Sequence, residues 1–231
     1  MTTSGTTAFN PDLTEIVEEA FERCGGELRT GYDLRTARRS MNLMFTDWAN
    51  RGVNMWTMEQ GQQILTPGTA TYNLPADTVD LLDHVIRTGA GSASTQADLT
   101  ITRISEPTYS SIPNKLQQAR PIQIWIERLN TPRFTVWPVP DNSQTYTLVY
   151  WRLRRIQDAG DGVNTMDMPF RFYNAMVAGL SYYLAMKVPG ALERLQILKQ
   201  QYDEAWQLAS DEDREKAAVR FVPRQQYIGT V

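Results

Sequence analysis

The chain has 231 residues, of which 42% are hydrophobic and 21% are charged. This length and composition allow one large core, or a domain with a second domain inserted, and they exclude a disordered or fibrous chain. The 26 acidic and 23 basic residues give a formal net charge of −3, which argues against a protein whose main task is to bind the phosphate backbone of nucleic acids.

Three amphipathic helices are predicted at the N-terminal end. The first has Asn10 as its N-cap, carries apolar residues at spacings of three and four, and ends at Gly25. The second covers residues 34–50 with Asp33 as its cap, and a short third helix covers residues 54–63. Because each helix has one apolar side, we expect the three to pack on one another.

The following region has the alternation of strands. From residue 64 to residue 156, apolar side chains alternate with polar ones between turn residues. A turn at residues 129–132 joins two alternating runs into a predicted hairpin, and Tyr146 begins the last strand. Residues 89–96 are mostly small and predict a flexible loop suited to a contact. The pattern indicates a small, mainly antiparallel β domain.

Helical spacing returns after a polar loop. Asp167 and Pro169 open one predicted helix, and a long final helix starts at Ala191. The order of helices, strands and helices predicts an α+β fold, in which the first and last helices form one bundle and the antiparallel β domain is inserted between them. The predicted divisions are residues 1–63 and 158–218 for the bundle, 64–157 for the β domain and 219–231 for an extended C-terminal arm.

The C-terminal arm carries apolar and basic side chains but is too short to build a core of its own. Exposed apolar residues on an extended segment usually indicate that the segment docks on a partner. The residues expected to dock are Arg220, Phe221, Val222, Pro223, Arg224, Tyr227 and Ile228.

No enzyme motif is present in the sequence. The one histidine, His84, stands in an apolar run and predicts a hydrogen-bonded strand residue rather than a catalytic base. The one cysteine, Cys24, lies on the apolar side of the first helix and predicts a core residue. The acidic pair Glu18 and Glu19 is typical of a solvated helix face. We therefore expect no catalytic residues, no metal and no cofactor.

The compartment follows from the same composition. A single cysteine cannot form an internal disulfide, which fits a reducing cytoplasm. The N-terminal residues lack the basic and apolar regions of a secretion signal, and no run of apolar residues is long enough to span a membrane. We expect a soluble protein made in a cytoplasm, with no membrane partner.

Two patches combine tryptophan with arginine. Trp125, Arg128 and Arg133 fall around the predicted hairpin, and Trp151 and Arg154 fall in the last strand. Aromatic residues interleaved with arginine can hold single-stranded nucleic acid. Both residue types are also enriched at protein–protein interfaces. The near-neutral net charge favours a protein–protein interface over nucleic-acid binding.

An ordered series of segments resembles a known family. The series comprises MNLMFTDWANRG at residues 41–52, EQGQQ at 59–63, GTATYNLPAD at 68–77, LVYWRLRRIQD at 148–158 and DMP at 167–169. In this order and spacing, over about residues 10–217, the chain resembles the head-to-tail adaptor (connector) proteins of podoviruses, the tail tubular protein A-like family.

The resemblance implies a structural virion protein of the neck and tail, assembled in the host cytoplasm. It implies a homo-oligomeric ring of twelve copies that binds the portal protein above and the tail nozzle protein below, and a tail fibre or spike at its rim. DNA would pass through the channel without sequence-specific binding, during ejection of the genome. By analogy, the C-terminal arm would dock on the portal.

Two other functions remain open at this point. One is a module of another tail assembly, which would share the composition but not the helical frame. The other is a nucleic-acid-binding protein that uses the tryptophan and arginine patches, for which steeply salt-dependent binding to DNA would be the sign.

Overall fold

The computed structural model describes residues 3–7, 9–29, 31–52 and 55–214. The predicted α+β class is confirmed, with helices at both ends of the described chain and antiparallel sheets between them. The helices are α1 (Leu13–Cys24), α2 (Gly31–Asn50), α3 (Glu106–Ser110), α4 (Tyr173–Ala185) and α5 (Leu195–Glu212). The strands are β1 (Met58–Leu65), β2 (Thr71–Asn73), β3 (Thr78–Thr88), β4 (Ala97–Thr100), β5 (Thr102–Ile104), β6 (Gln123–Glu127), β7 (Arg133–Trp137) and β8 (Tyr146–Arg154).

Helix α4 lies at the centre of the helical part. It is apolar on nearly every side, as expected of a helix enclosed by neighbours, and it contacts α1, α2 and α5. The four helices share one core, in which Trp48 of α2 is fully buried. The indole Nε1 of Trp48 donates a hydrogen bond of 2.7 Å to the hydroxyl of Tyr202, and the ring packs against Phe172 and Trp206. The first and last thirds of the chain are therefore joined through α2 and α5.

The N-cap of helix α1 lies two residues later than predicted. Asp12, not Asn10, is the N-cap, because its Oδ1 accepts a hydrogen bond of 2.9 Å from the backbone N–H of Glu15. The Glu15 carboxylate accepts a 3.0 Å bond from the N–H of Asp12 in return. This reciprocal pair is a capping box, which satisfies two backbone donors at once. Gly25 ends the helix at φ 81°, as predicted.

The strands form two sheets of four. Their orders are β1-β8-β3-β4 and β2-β7-β6-β5, and all pairs are antiparallel except β5 with β6. The predicted hairpin is confirmed as β6 and β7, with Ile124 opposite Val136. Alternate residues of β8, namely Tyr146, Leu148 and Tyr150, join a core cluster with residues from the other sheet. The sheets therefore enclose a second core, separate from that of the helices.

The predicted third helix over residues 54–63 is wrong. Met55–Thr57 form one 3₁₀ turn, and strand β1 then pairs with β8 along its whole length. A Cβ added to Gly61 would stand 2.4 Å from Cε2 of Tyr150, so the missing side chain allows the strand to lie close to that ring. The strands thus begin at Met58, before the predicted change from helix to strand at residue 64.

The closing helices also start later than predicted. Phe170–Phe172 form a 3₁₀ turn before α4, and Phe170 is 77% exposed. Another 3₁₀ turn, Ala191–Arg194, precedes α5. Such turns are frequent at the ends of α-helices, and apolar periodicity does not distinguish them from the helix that follows.

Candidate functional site

The most connected cluster of charged side chains joins the sheets to the helical part. Arg154 at the end of β8 is largely buried, and its Nε donates a 2.6 Å hydrogen bond to Glu59 of β1. Its Nη atoms donate to both oxygens of Asp167, in the segment that leads to α4. Trp56 donates from Nε1 to the backbone carbonyl of Asp167 at 3.1 Å. The geometry makes Arg154 a brace between the two parts of the protein.

Arg152 extends the same cluster along β8. Its Nη2 donates to Glu59 at 2.8 Å, and its Nη1 donates to the carboxylate of Asp77. This hydrogen bond is the main cause of a lowered pKa for the Asp77 carboxyl, with the positive charges of Arg152 and Arg154 adding to it. Two arginines and three carboxylates thus form one hydrogen-bonded network within the chain. We call this set, Glu59, Asp77, Arg152, Arg154 and Asp167, the junction cluster.

A second ionic contact holds the end of α5. The side chain of Asp213 is 3% exposed and forms an ion pair with Arg171, next to the start of α4. Its Oδ2 accepts a 2.9 Å hydrogen bond from the backbone N–H of Met55, just before β1. The buried carboxylate of Asp213 therefore connects the end of α5 to the segment before β1 and to the segment before α4.

The first predicted patch lies on the β6–β7 hairpin. Arg133 and Glu127 form a bidentate ion pair, with hydrogen bonds of 2.8 and 2.7 Å. The indole of Trp125 stacks on Tyr109 of α3, with ring centroids 4.9 Å apart. Arg128 is the freest of the predicted residues: its side chain is 61% exposed and lies 3.9 Å from Asp80.

The second predicted patch is divided by the fold. Trp151 lies on the face of the first sheet that points away from the sheet core and is 37% exposed. Arg154, three residues later, belongs to the junction cluster and has little free surface. The structure therefore places Trp151 on one sheet and the hairpin patch on the other. They do not form one continuous site.

Neither His84 nor Cys24 has the setting of a catalytic group. His84 is buried on β3, and neither ring nitrogen has a hydrogen-bond partner among the described residues, which corrects the predicted hydrogen-bonded histidine. Burial is the main cause of its lowered pKa. The Cys24 thiol donates a 3.0 Å hydrogen bond to the carbonyl of Ser181, and burial raises its pKa to about 11. Cys24 is therefore the core residue that its helical position predicts.

Searches of the described residues for metal sites and membrane spans found nothing. No group of three or more histidine, cysteine, aspartate or glutamate side chains is placed to hold a metal ion in residues 3–214 as described. No helix in the described part of the chain is long and apolar enough to cross a membrane. The predicted docking residues of the C-terminal arm, from Arg220 to Ile228, lie outside the described residues.

Comparison with known families gives the strongest indication of function. A model of the SU10 adaptor protein family matches residues 12–224. The chain belongs to the SU10 adaptor protein family. The match starts at the N-cap of α1 and extends past α5, so the SU10 adaptor family includes both the helical part and the sheets. No curated protein matches the chain.

Membership of the SU10 adaptor family supports the coarser part of the sequence prediction. It indicates a bacteriophage adaptor with a structural role in the virion, and a structural adaptor implies a non-enzymatic protein. The acidic members of the junction cluster, and Asp213, were missed by sequence reasoning. Glu59 and Arg154 are 95 positions apart in the chain, and no local pattern connects them.

Proposed function

We propose that the protein forms the ring-shaped head-to-tail adaptor between the portal and the tail nozzle of a short-tailed bacteriophage. The observation that carries this proposal is the match of the SU10 adaptor family to residues 12–224. The ring is homo-oligomeric, with twelve copies around the channel for DNA, and its rim anchors tail fibres or spikes. It belongs to the neck of the virion and assembles in the host cytoplasm.

The ionic contacts between the sheets and the helical part support a mechanical role. The junction cluster joins β1, β8 and the start of the closing helices, and Asp213 joins the end of α5 to the same region. Buried and mutually hydrogen-bonded ion pairs are rigid, since each partner would otherwise lose hydration without compensation. A subunit that transmits force between capsid and tail requires its two parts to move as one body.

The C-terminal arm provides the portal contact in this proposal. Residues 219–231 contain two arginines and no acidic residue, whereas the whole chain has a formal charge of −3. The arm residues named above would bind the portal through Phe221, Val222, Tyr227 and Ile228, with Arg220 and Arg224 contributing charge.

The exposed aromatic and basic side chains of the sheets provide subunit or tail contacts. Trp125, Arg128, Arg133 and Trp151 retain surface from which a neighbour can be contacted. Arg154 would act indirectly, because it holds β8 and therefore Trp151 in position.

Ring assembly would give the ring as a whole a negative formal charge. Twelve copies with a formal charge of −3 each would carry 12 × −3 = −36. Repulsion between such a ring and the phosphate backbone favours sliding over tight binding.

Nucleic-acid binding as the primary function is not favoured by the geometry. Arg133, Arg152 and Arg154 donate to carboxylates of the same chain. A phosphate would have to displace these partners before counterion release could drive binding.

The test uses the purified full-length chain, alone and mixed with isolated portal rings, in negative-stain microscopy and light scattering. Twelve-fold rings, or about twelve copies bound per portal, are the expected result. A chain that remains monomeric with portals but binds DNA fragments in a salt-dependent way would contradict the proposal. Deleting residues 219–231 tests the arm: portal binding should be lost, and unchanged binding would remove the arm from the contact.

A further inference from the structure

Helix α1 presents an acidic face to solvent. Its apolar side, which includes Ile16 and Val17, packs in the helical core. The opposite side carries Glu15, Glu18, Glu19 and Glu22, all of them exposed. Glu18 and Glu22 form no ion pair within the described part of the chain, whereas Glu15 belongs to the capping box and Glu19 pairs with Arg23. We call these four glutamates the acidic face.

An apolar groove runs beside the acidic face, between α1 and α4. It has a volume of about 420 Å³, with Phe9, Pro11, Ile16, Tyr173 and Val177 forming its apolar lining. Phe9 is 78% exposed although its ring packs edge-on against Tyr173. A large exposed apolar side chain beside an apolar groove is typical of a surface that a partner covers.

Helix α2 presents the complementary surface. Its exposed side carries Tyr32, Arg35, Arg39 and Leu43, which succeed one another at helical spacing along one stripe. Neither Arg35 nor Arg39 has a carboxylate partner within the described residues, and Tyr32 and Leu43 are 69% and 55% exposed. We call these four residues the basic face.

The two faces match in spacing as well as in charge. Arg35 and Arg39 are four positions apart, as are Glu18 and Glu22, and each interval is about 6 Å along a helix. The aromatic and aliphatic ends of the basic face, Tyr32 and Leu43, can cover apolar surface next to the charged pairs. Every copy of the chain therefore carries both the acidic face and the basic face that complements it.

We infer that the acidic face and groove of one copy bind the basic face of α2 of a second copy. Because the two faces differ, the contact is head-to-tail, the kind of contact that generates a closed ring when its rotation closes. This inference rests on the proposed ring and supplies one of its subunit contacts. The near-neutral total charge thus conceals two faces of opposite sign.

Charge reversal tests the contact. One variant carries Glu18→Arg and Glu22→Arg, and the other carries Arg35→Glu and Arg39→Glu. Both variants should fold, because the four positions are solvent-facing and the two residue types have similar helix propensities. Circular dichroism spectra and melting temperatures check that both variants fold as the wild type does. A matched control for the basic-face variant, Arg120→Glu with Lys199→Glu, makes the same change in net charge as that variant at exposed positions elsewhere.

Self-association is measured by sedimentation velocity, and copies bound per portal are counted by mass photometry. Each single-face variant should associate at least about tenfold more weakly than the wild type, because like charges then oppose each other across the contact. A 1:1 mixture of the two variants should recover association, since each copy then meets a neighbour of opposite charge on both sides. The control should behave as the wild type.

The outcomes separate this contact from the ring itself. If the wild type forms rings and both single-face variants form them equally well, the contact is wrong and the ring stands. If the acidic-face variant loses portal binding while the basic-face variant assembles normally, the portal occupies the acidic face and the contact is overturned. A wild type that stays monomeric both alone and on the portal overturns the ring and the contact together.

Discussion

The guanidinium of Arg154 forms a bidentate ion pair with the carboxylate of Asp167, across the junction between the last strand and the closing helices. Only 11% of the arginine side chain and 19% of the aspartate side chain are exposed. The pair therefore connects the sheets, which enclose one core, to the segment that leads into the core of the helices.

Replacing Arg154 should destabilise the protein substantially. Arg154→Leu leaves the largely buried Asp167 without its main partner, and breaking such a pair costs about 3 kcal/mol. Urea unfolding measures the change. Arg87→Leu is the matched control, because its bidentate pair leaves behind Asp98, whose side chain is 39% exposed, and its loss should have a smaller effect. Equal losses of unfolding free energy in both variants would contradict the connecting role of Arg154.

Asp213 should be important for stability although it lies near the end of the described chain. Asp213→Ala removes the acceptor of the Met55 N–H and the partner of Arg171, and an unsatisfied buried donor costs about 2 kcal/mol. Thermal unfolding checks this expectation. Asp211→Ala is the control, since the ion pair of Asp211 with Arg214 lies at the exposed end of the same helix. A melting temperature unchanged by Asp213→Ala would exclude the connecting role.

His84 should make the protein less stable in mild acid. Its pKa in the folded state is lowered from the ordinary value of 6.5, mainly by burial, and Arg103 adds to this while Asp80 and Asp83 oppose it. The unfolded state then binds the proton first, so the free energy of unfolding should fall as the pH decreases below about 6.5. Unfolding in urea at several pH values between 7 and 5 measures the slope.

His84→Leu provides the comparison for this pH dependence. The variant should lose the decrease between pH 6.5 and 5 while keeping the decrease at lower pH, where carboxylates with lowered pKa, such as Asp77, take up protons. An identical pH profile for the variant and the wild type would show that His84 is not the group responsible.

Gly61 should tolerate no side chain. A Cβ at this position meets the ring of Tyr150 at 2.4 Å, so Gly61→Ala forces β1 away from β8 or displaces a core tyrosine. Overpacking of this kind costs about 1–3 kcal/mol. Gly31→Ala is the control, because no atom lies within 4 Å of its added Cβ. The midpoints of denaturant unfolding are measured for both variants. Similar midpoints would contradict the close approach of Gly61 to the Tyr150 ring.

Several elements were predicted from sequence because their causes are local. The apolar spacing of α1 and α2, the left-handed glycine at residue 25 and the alternation through β6, β7 and β8 depend on neighbours a few positions away. The helices–strands–helices order and the core position of Cys24 followed from these patterns. The resemblance to phage adaptors also rested on ordered local segments, and the family match over residues 12–224 supports its coarser form.

Tertiary structure decided the remaining features, because their energies arise between distant residues. Residues 59–63 have no strong preference for a strand, and β1 forms because β8 offers a partner along its length and Tyr150 covers Gly61. The connecting role of Arg154 depended on Glu59, 95 positions away, and on Asp167, 13 positions away, and not on the nearby Trp151. Local periodicity specifies which side of an element is apolar. Only the packed chain specifies which charged groups form ion pairs and which, like Glu18 and Arg35, form none within the described residues.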